Sequence, residues 1–268
     1  VAVGEIYERV LVYVAGGATT NDDRLIFQIR GTVRVSVGED GAQAARGESA
    51  EPAISADGSQ VVFVSSATAL VAVPEDGNGV CDIYLRSTLS ETVLLSQSDA
   101  GAIGNGRSYD PEISPDGFNI TFVSSAFNLL SGEENCYEQQ DENEAVRDIY
   151  VINRDGESSP VRRLSMFNFG SCEEIERRSL SPAISDANSA NHDLRVVFQT
   201  MGDIPVNVGD NDASDVLFSE PLGTGTVYHE LGASPRDDRS YAADISANGE
   251  VVAFTSLATD IFPNDNNG

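Results

Sequence analysis

Tyr109-Asp110-Pro111-Glu112-Ile113-Ser114-Pro115-Asp116-Gly117 puts a proline, an Ile-Ser pair and an Asp-Gly turn into one short stretch, and the chain returns to that arrangement three more times. The other copies are Ala50-Glu51-Pro52-Ala53-Ile54-Ser55-Ala56-Asp57-Gly58, Leu180-Ser181-Pro182-Ala183-Ile184-Ser185-Asp186 and Tyr241-Ala242-Ala243-Asp244-Ile245-Ser246-Ala247-Asn248-Gly249. Their isoleucines, Ile54, Ile113, Ile184 and Ile245, are spaced by 59, 71 and 61 residues. Repetition at a fixed order of features, on a period of this size, marks a chain built from stacked supersecondary units.

Each copy leads into a short apolar run: Val61-Val62-Phe63-Val64, Ile120-Thr121-Phe122-Val123, Val196-Val197-Phe198 and Val251-Val252-Ala253-Phe254. β-Branched and aromatic runs of this length, bounded by Asp-Gly or Asn-Gly, read as hairpin strands. An acidic loop follows, and then a third strand at Ile83 to Leu85, Ile149 to Ile152 and Val216 to Phe218. A fourth strand is expected at Thr92 to Ser96, Val161 to Ser165 and Thr226 to Tyr228. Four antiparallel strands per repeat make one blade of a β-propeller. No helical periodicity of useful length competes with that reading.

The expected fold is therefore all-β, a four-bladed β-propeller of four-stranded antiparallel blades, with the last blade shared between the N- and C-termini. Blade 1 spans 46–105, blade 2 spans 106–175 and blade 3 spans 176–238; blade 4 combines 239–268 with 23–38. In that scheme Arg24 to Ile29 supplies a third strand and Thr32 to Val37 a fourth, followed by Gly38-Glu39-Asp40-Gly41 in the manner of Ser98-Asp99-Ala100-Gly101. Such sharing removes the exposed edges of an open array. Residues 1–22 remain as an extension with a spare strand, Glu8 to Val14, which packs on its own domain, is a variant second strand of a fifth, incomplete blade, or adds to another subunit's sheet edge.

The order Pro-x-Ile-Ser-x-Asp-Gly, apolar run, acidic Asp-x-Asn-Gly loop, Asp-Ile-Tyr resembles the TolB-type, WD40-like propeller repeats known as the PD40 class. The resemblance covers about residues 46 to 268. It departs at Asp186-Ala187-Asn188, where an insertion replaces Asp-Gly, and at Ala243, which stands where the other copies have proline. It implies a propeller that serves as an extracytoplasmic scaffold for protein partners.

Acidity dominates the composition: 43 Asp and Glu face 16 basic residues, all of them Arg, for a net charge of -27. A field of that sign repels nucleic acid and anionic membranes and attracts cations. Calcium takes six to eight oxygen ligands, and loops with carboxylates or amides at alternate positions can present several of them. Asp76, Asn78 and Asp82 have that layout, as do Asp141, Asn143 and Asp148, and Asp210, Asp212 and Asp215. Asp265 and Asn267 offer half of a fourth site, which Asp22 or Asp23 would complete across the junction. The competing explanation is a set of Asx-turns with solvated acids. An EF-hand is excluded because its final bidentate position falls on Ser87, Ile152 or Pro221.

An enzyme is not expected. His192 and His229 lie near no nucleophile motif, and Trp, the usual platform for sugars, is absent. No apolar run is long enough to span a bilayer. Cys136 and Cys172 can pair with each other and leave Cys81 over; the pairing fits an oxidising compartment, and the odd count equally fits free thiols. These observations lead to a secreted or extracellular, calcium-stabilised structural module that assembles head to tail with copies of itself. The alternative is a monomeric TolB-like scaffold, periplasmic or extracellular, that binds a protein partner.

Overall fold

The computed structural model describes residues 7–14, 26–38, 41, 47–72, 77–87, 92–130, 147–154, 161–168, 173–174, 179–186, 194–201, 214–222, 225–230 and 238–258. Two strands, β1 (Tyr7–Val14) and β2 (Ile26–Arg34), form an antiparallel pair. The first four-stranded antiparallel sheet comprises β3 (Ser49–Ile54), β4 (Gln60–Ser65), β5 (Asp82–Ser87) and β6 (Thr92–Leu94) in that order. The second comprises β7 (Ser108–Ile113), β8 (Asn119–Ser124), β9 (Asp148–Asn153) and β10 (Val161–Arg163). A small pair, β11 (Met166–Asn168) and β12 (Glu173–Glu174), precedes the third sheet. That sheet contains β13 (Ser179–Ile184), β14 (Val196–Thr200), β15 (Asp215–Leu222) and β16 (Gly225–Glu230). The hairpin β17 (Ser240–Ile245) and β18 (Val252–Ser256) forms a two-stranded sheet of its own.

The hairpin joining the first two strands of each unit explains the recurring Ile-Ser-x-Asp-Gly. In the first sheet Ser55 Oγ donates to Asp57 Oδ1 at 2.7 Å and accepts from Gln60 N at 3.1 Å, while Asp57 Oδ1 accepts from Ser59 N at 2.9 Å. Gly58 closes the turn at φ 72°, a left-handed value that glycine adopts without a Cβ clash. The same bonds recur through Ser114 and Asp116, and through Ser246 and Asn248. The third unit lacks the Asp-Gly pair but closes at the same place, with Ser185 N donating to Arg195 O at 2.9 Å. Its insertion, 187–193, lies outside the described residues.

Apolar side chains on the two faces of each sheet mate with those of the next. Val62, Val64, Ile83 and Leu85 of the first sheet pack with Ile113, Ile120, Phe122, Tyr150 and Ile152 of the second. Val123, Ile149 and Val151 of the second then pack with Ile184, Val196, Phe198 and Leu217 of the third. Stacked cross-strand rings reinforce the first two sheets: Phe63 on Tyr84 at 6.0 Å and Phe122 on Tyr150 at 5.6 Å. The first strands lie side by side, β3 against β7, β7 against β13 and β13 against β17, and so form the inner edge of the array. Backbone bonds between neighbouring turns, Ala56 N to Pro115 O at 2.9 Å and Asp186 N to Ala247 O at 2.7 Å, fix the spacing of the blades.

The N-terminal region departs from expectation. Arg24 to Ile29 and Thr32 to Val37 do not form two strands: β2 runs unbroken through Gly31, which pairs with Val10, and a register shift between Val10 and Leu11 absorbs the irregularity. The segment Glu8 to Val14 is not spare but is the partner of β2. Among the described residues β17 and β18 pair only with each other, so the fourth sheet shared between the termini is not formed by those strands. Glycine between two β-branched runs was the misleading signal, because a bulge accommodates it as well as a turn does.

Candidate functional site

A row of polar residues crosses each blade at one end, and in the three complete sheets every position in it is buried. Strand pairing sets Ser49 opposite Ser65 and Ser65 opposite Asp82 in the first sheet, and Ser108, Ser124 and Asp148 in the second. Ser179, Thr200 and Asp215 repeat it in the third, and Ser240 faces Ser256 in the hairpin. Hydroxyls bond across the first two strands, Ser49 to Ser65 at 3.0 Å, Ser108 to Ser124 at 2.9 Å and Ser240 to Ser256 at 2.9 Å. The aspartate receives the hydroxyl of a serine that follows the fourth strand: Ser96 Oγ donates to Asp82 Oδ1 at 2.6 Å, and Ser165 Oγ to Asp148 Oδ1. These serines in turn accept from Ile83 N at 3.0 Å and Ile149 N at 3.1 Å. Buried polar atoms are tolerated when each has a partner, and a linked row of them fixes strand register.

Three of the expected calcium ligands belong to this row. Asp82, Asp148 and Asp215 are all buried. Asp82 also accepts from Asn78 Nδ2 at 2.7 Å, and Asn78 turns its oxygen back to Val80 N at 2.9 Å. Asp148 lies 3.5 Å from Arg163 Nη1, a guanidinium that is itself buried. Asp76, Asp141, Asn143, Asp210, Asp212, Asp265, Asn267, Asp22 and Asp23 lie outside the described residues, as do Cys136, Cys172 and His192. Among the described residues no group of three or more His, Cys, Asp or Glu is placed to hold a metal ion. Cys81 is a free thiol, half-buried, and burial pushes its pKa up.

The inner strands carry a second set of acids. Each has a bulge whose central residue adopts a positive φ without being glycine: Glu51 at 50°, Asp110 at 55°, Ser181 at 51° and Ala242 at 53°. Non-glycine residues hold that conformation only where the surroundings fix it, and such strain concentrates at working sites. Here the bulges are tied together in sequence around the inner edge. Asp110 N donates to Glu51 Oε2 at 2.8 Å, and Ser181 N donates to Asp110 Oδ2 at 3.1 Å.

Two positions further along each strand, Glu112 and Asp244 occupy slots that hold Ala53 and Ala183 in the other units. Glu112 pairs across the sheet with Thr121, whose buried Oγ1 has no hydrogen-bond partner among the described residues. Burial, helped by the charges of Asp110 and Asp244, pushes the Glu112 carboxyl up to about 7. Burial and the neighbouring Glu51 also raise Asp110. The inner edge thus gathers Glu51, Asp110, Glu112 and Asp244, and among the described residues no ion pair neutralises any of the four.

The sign of the Glu112 effect is testable. A carboxyl raised in the folded state keeps its proton there while the unfolded chain has lost it, so stability falls as pH rises from about the ordinary glutamate value to about 7. Glu112→Gln is expected to match the native protein at pH 5 and to melt higher at pH 8. Glu112 is partly exposed, so screening reduces the gain to about 1–2 kcal/mol. Equal melting temperatures at both pH values contradict the assignment.

Stacked four-stranded antiparallel sheets, built from one repeated sequence pattern with their first strands on a common inner edge, define a repeat protein of propeller-type blades. Among the solved structures similar to this chain are two TolB proteins. One is a putative TolB from Agrobacterium tumefaciens, at 21% identity and a TM-score of 0.35, covering 67% of this chain and 48% of that one. The other is TolB from Acinetobacter baumannii, at 15% identity and a TM-score of 0.43, covering 95% of this chain and 50% of that one. The chain spans about half the length of each. No family model matches the chain, and no curated protein matches it.

Proposed function

We propose that the protein is a non-enzymatic, extracytoplasmic interaction scaffold whose inner carboxylate row receives a cationic segment of a protein partner. The supporting observation is the convergence of Glu51, Asp110, Glu112 and Asp244 on the inner edge with no ion pair to any of them among the described residues. A guanidinium or ammonium group placed there offsets the burial and the neighbouring negative charges that raise the Glu112 carboxyl, so binding and ionisation favour each other. The four repeats supply the rigid frame, and their bulges set the carboxylates at fixed spacing.

A calcium-stapled structural subunit is the second reading. It is less favoured because Asp82 and Asp148, two of its expected ligands, already serve as hydrogen-bond acceptors inside their blades. Calcium in the acidic loops remains a proposal for the loop residues outside the described set.

A short extended peptide of alternating Gly and Arg is a suitable probe. The double variant Glu112→Gln/Asp244→Asn is expected to weaken its binding about tenfold, the equivalent of one charge-assisted contact. A control that neutralises two exposed acids elsewhere, Asp238→Asn/Glu250→Gln, should leave binding nearly unchanged. Equal losses in both variants mean that the peptide senses only the net charge, and the inner row is then not the site.

A further inference from the structure

The second and fourth units share a pattern on their first strands that the other two lack. Arg107-Ser108-Tyr109-Asp110-Pro111-Glu112-Ile113 and Arg239-Ser240-Tyr241-Ala242-Ala243-Asp244-Ile245 each carry an arginine, a tyrosine two residues on, and a carboxylate three residues after that. The first unit has Ala50 and Ala53 in place of the tyrosine and the acid, and the third has Leu180 and Ala183. In both strands the bulge falls between the tyrosine and the acid, so the two columns keep the same register. Successive first strands lie side by side, which puts these columns on alternate units of the inner edge, and the charge of Asp244 reaches Glu112.

At the end of these columns away from the carboxylates the charge is reversed. Arg107 lies over the Tyr109 ring at 5.8 Å from its centroid, and Arg147 lies over the same ring at 5.2 Å. Arg239 stands over Tyr241 in the same way at 6.0 Å. Backbone bonds hold all three in place: Ser125 N donates to Arg107 O at 3.0 Å, Ser179 N to Arg147 O at 2.8 Å and Leu257 N to Arg239 O at 3.0 Å. Arg107 and Arg239 are exposed and Arg147 is half-buried. With 43 acids to 16 arginines, counter-charges are plentiful in this chain, yet among the described residues none forms an ion pair with any of the three. A ring beneath a guanidinium occupies its face and leaves N–H groups along its edge, the edge that matches a carboxylate.

The geometry points to a carboxylate site at Arg107 and Arg147, which takes an aspartate or glutamate side chain from the same partner segment whose cation lies at Glu112 and Asp244. It rests on the reading of the inner carboxylates as a cation site, and it gives that site a direction. Three strand residues span about 10 Å, so in an extended segment the acid and the cation stand about three residues apart. Opposite charges at the two ends of one column fix the sense in which the segment lies, because the reversed segment sets its acid against Glu112 and its cation against Arg107. A tethered carboxylate fits better than a free anion. The net charge of -27 repels a small anion, whereas an acid carried by a bound cationic segment arrives at high effective concentration.

The test titrates three glycine peptides of equal length into the full chain: one with a single arginine, and two that add an aspartate three residues before or three residues after it. The net charge of -27 by itself predicts that the aspartate weakens binding in both. The carboxylate site predicts that one of the two binds about tenfold tighter than the acid-free peptide, and the other more weakly. Arg107→Gln/Arg147→Gln, shown to be folded by its melting curve, should lose that gain, and Arg107→Lys/Arg147→Lys should keep part of it. Weaker binding of both aspartate peptides beside clear binding of the acid-free one overturns the carboxylate site and leaves the cation site standing. Equal gains from both orders overturn the fixed direction, and an equal gain in the glutamine variant places the acid elsewhere and overturns the site. If none of the three peptides binds, the cation site fails and the carboxylate site falls with it.

Discussion

Asp148→Ala is expected to lower stability by about 3–5 kcal/mol, because it removes the buried carboxylate that faces the buried guanidinium of Arg163. Asp148 is 8% and Arg163 6% exposed, and the carboxylate also accepts from Ser165, which in turn holds Ile149 N. Removing the acid therefore unties the third strand from the fourth as well as unbalancing a charge. Asp148→Asn keeps an oxygen for Ser165 and should fall between the two. The decisive comparison is the same pair of melting curves in calcium and in chelator. An acceptor inside the blade predicts a loss that is equal in both; a metal ligand predicts a loss that appears only with calcium present.

Phe122→Ala is expected to cost about 3–5 kcal/mol, the range for emptying a buried aromatic site. Phe122 is fully buried, stacks on Tyr150 with rings 19° from parallel, and belongs to the cluster that joins the first sheet to the second. The cavity opens between two blades rather than inside one, so cooperativity should suffer along with stability. Each sheet of a stacked array is stabilised by its neighbours, and a weakened junction lets one side unfold ahead of the other. Chemical denaturation should consequently broaden, with a smaller slope than in the native protein. An unchanged slope would mean that the remaining contacts of that junction suffice to couple the blades.

Much of the frame was legible in the chain itself. The Ile-Ser-x-Asp-Gly pattern specified a hairpin because each residue acts locally, Ser55 and Asp57 by bonding the turn and Gly58 by taking the left-handed φ. Phe63 and Phe122 occupy equivalent positions in their repeats, and each stacks on the tyrosine of the neighbouring third strand. The aspartates before the third strand were harder to read. Asp82 and Asp148 share the spacing of calcium loops, and what distinguishes them is a serine after the fourth strand, Ser96 or Ser165, too distant in sequence for a local pattern to connect.

The inner carboxylates could not be singled out in so acidic a chain. Glu112 and Asp244 become notable only when their repeats are superposed on Ala53 and Ala183, and when the first strands are known to lie together. Glu51 and Asp110 precede prolines, a setting that gives no hint of the positive φ they adopt. At the N-terminus, Gly31 drew the reading toward a turn, whereas β2 runs straight through it in register with Val10.

The central claim, that the inner carboxylates receive a cationic partner segment, is tested most directly by calorimetry of the Gly-Arg peptide at pH 7 in buffers of different ionisation enthalpy. With Glu112 titrating at about 7, a bound guanidinium should expel about half a proton per site, and Glu112→Gln should abolish that release while retaining part of the affinity. Binding that releases no proton from the native protein, or releases the same amount from the variant, would contradict the account.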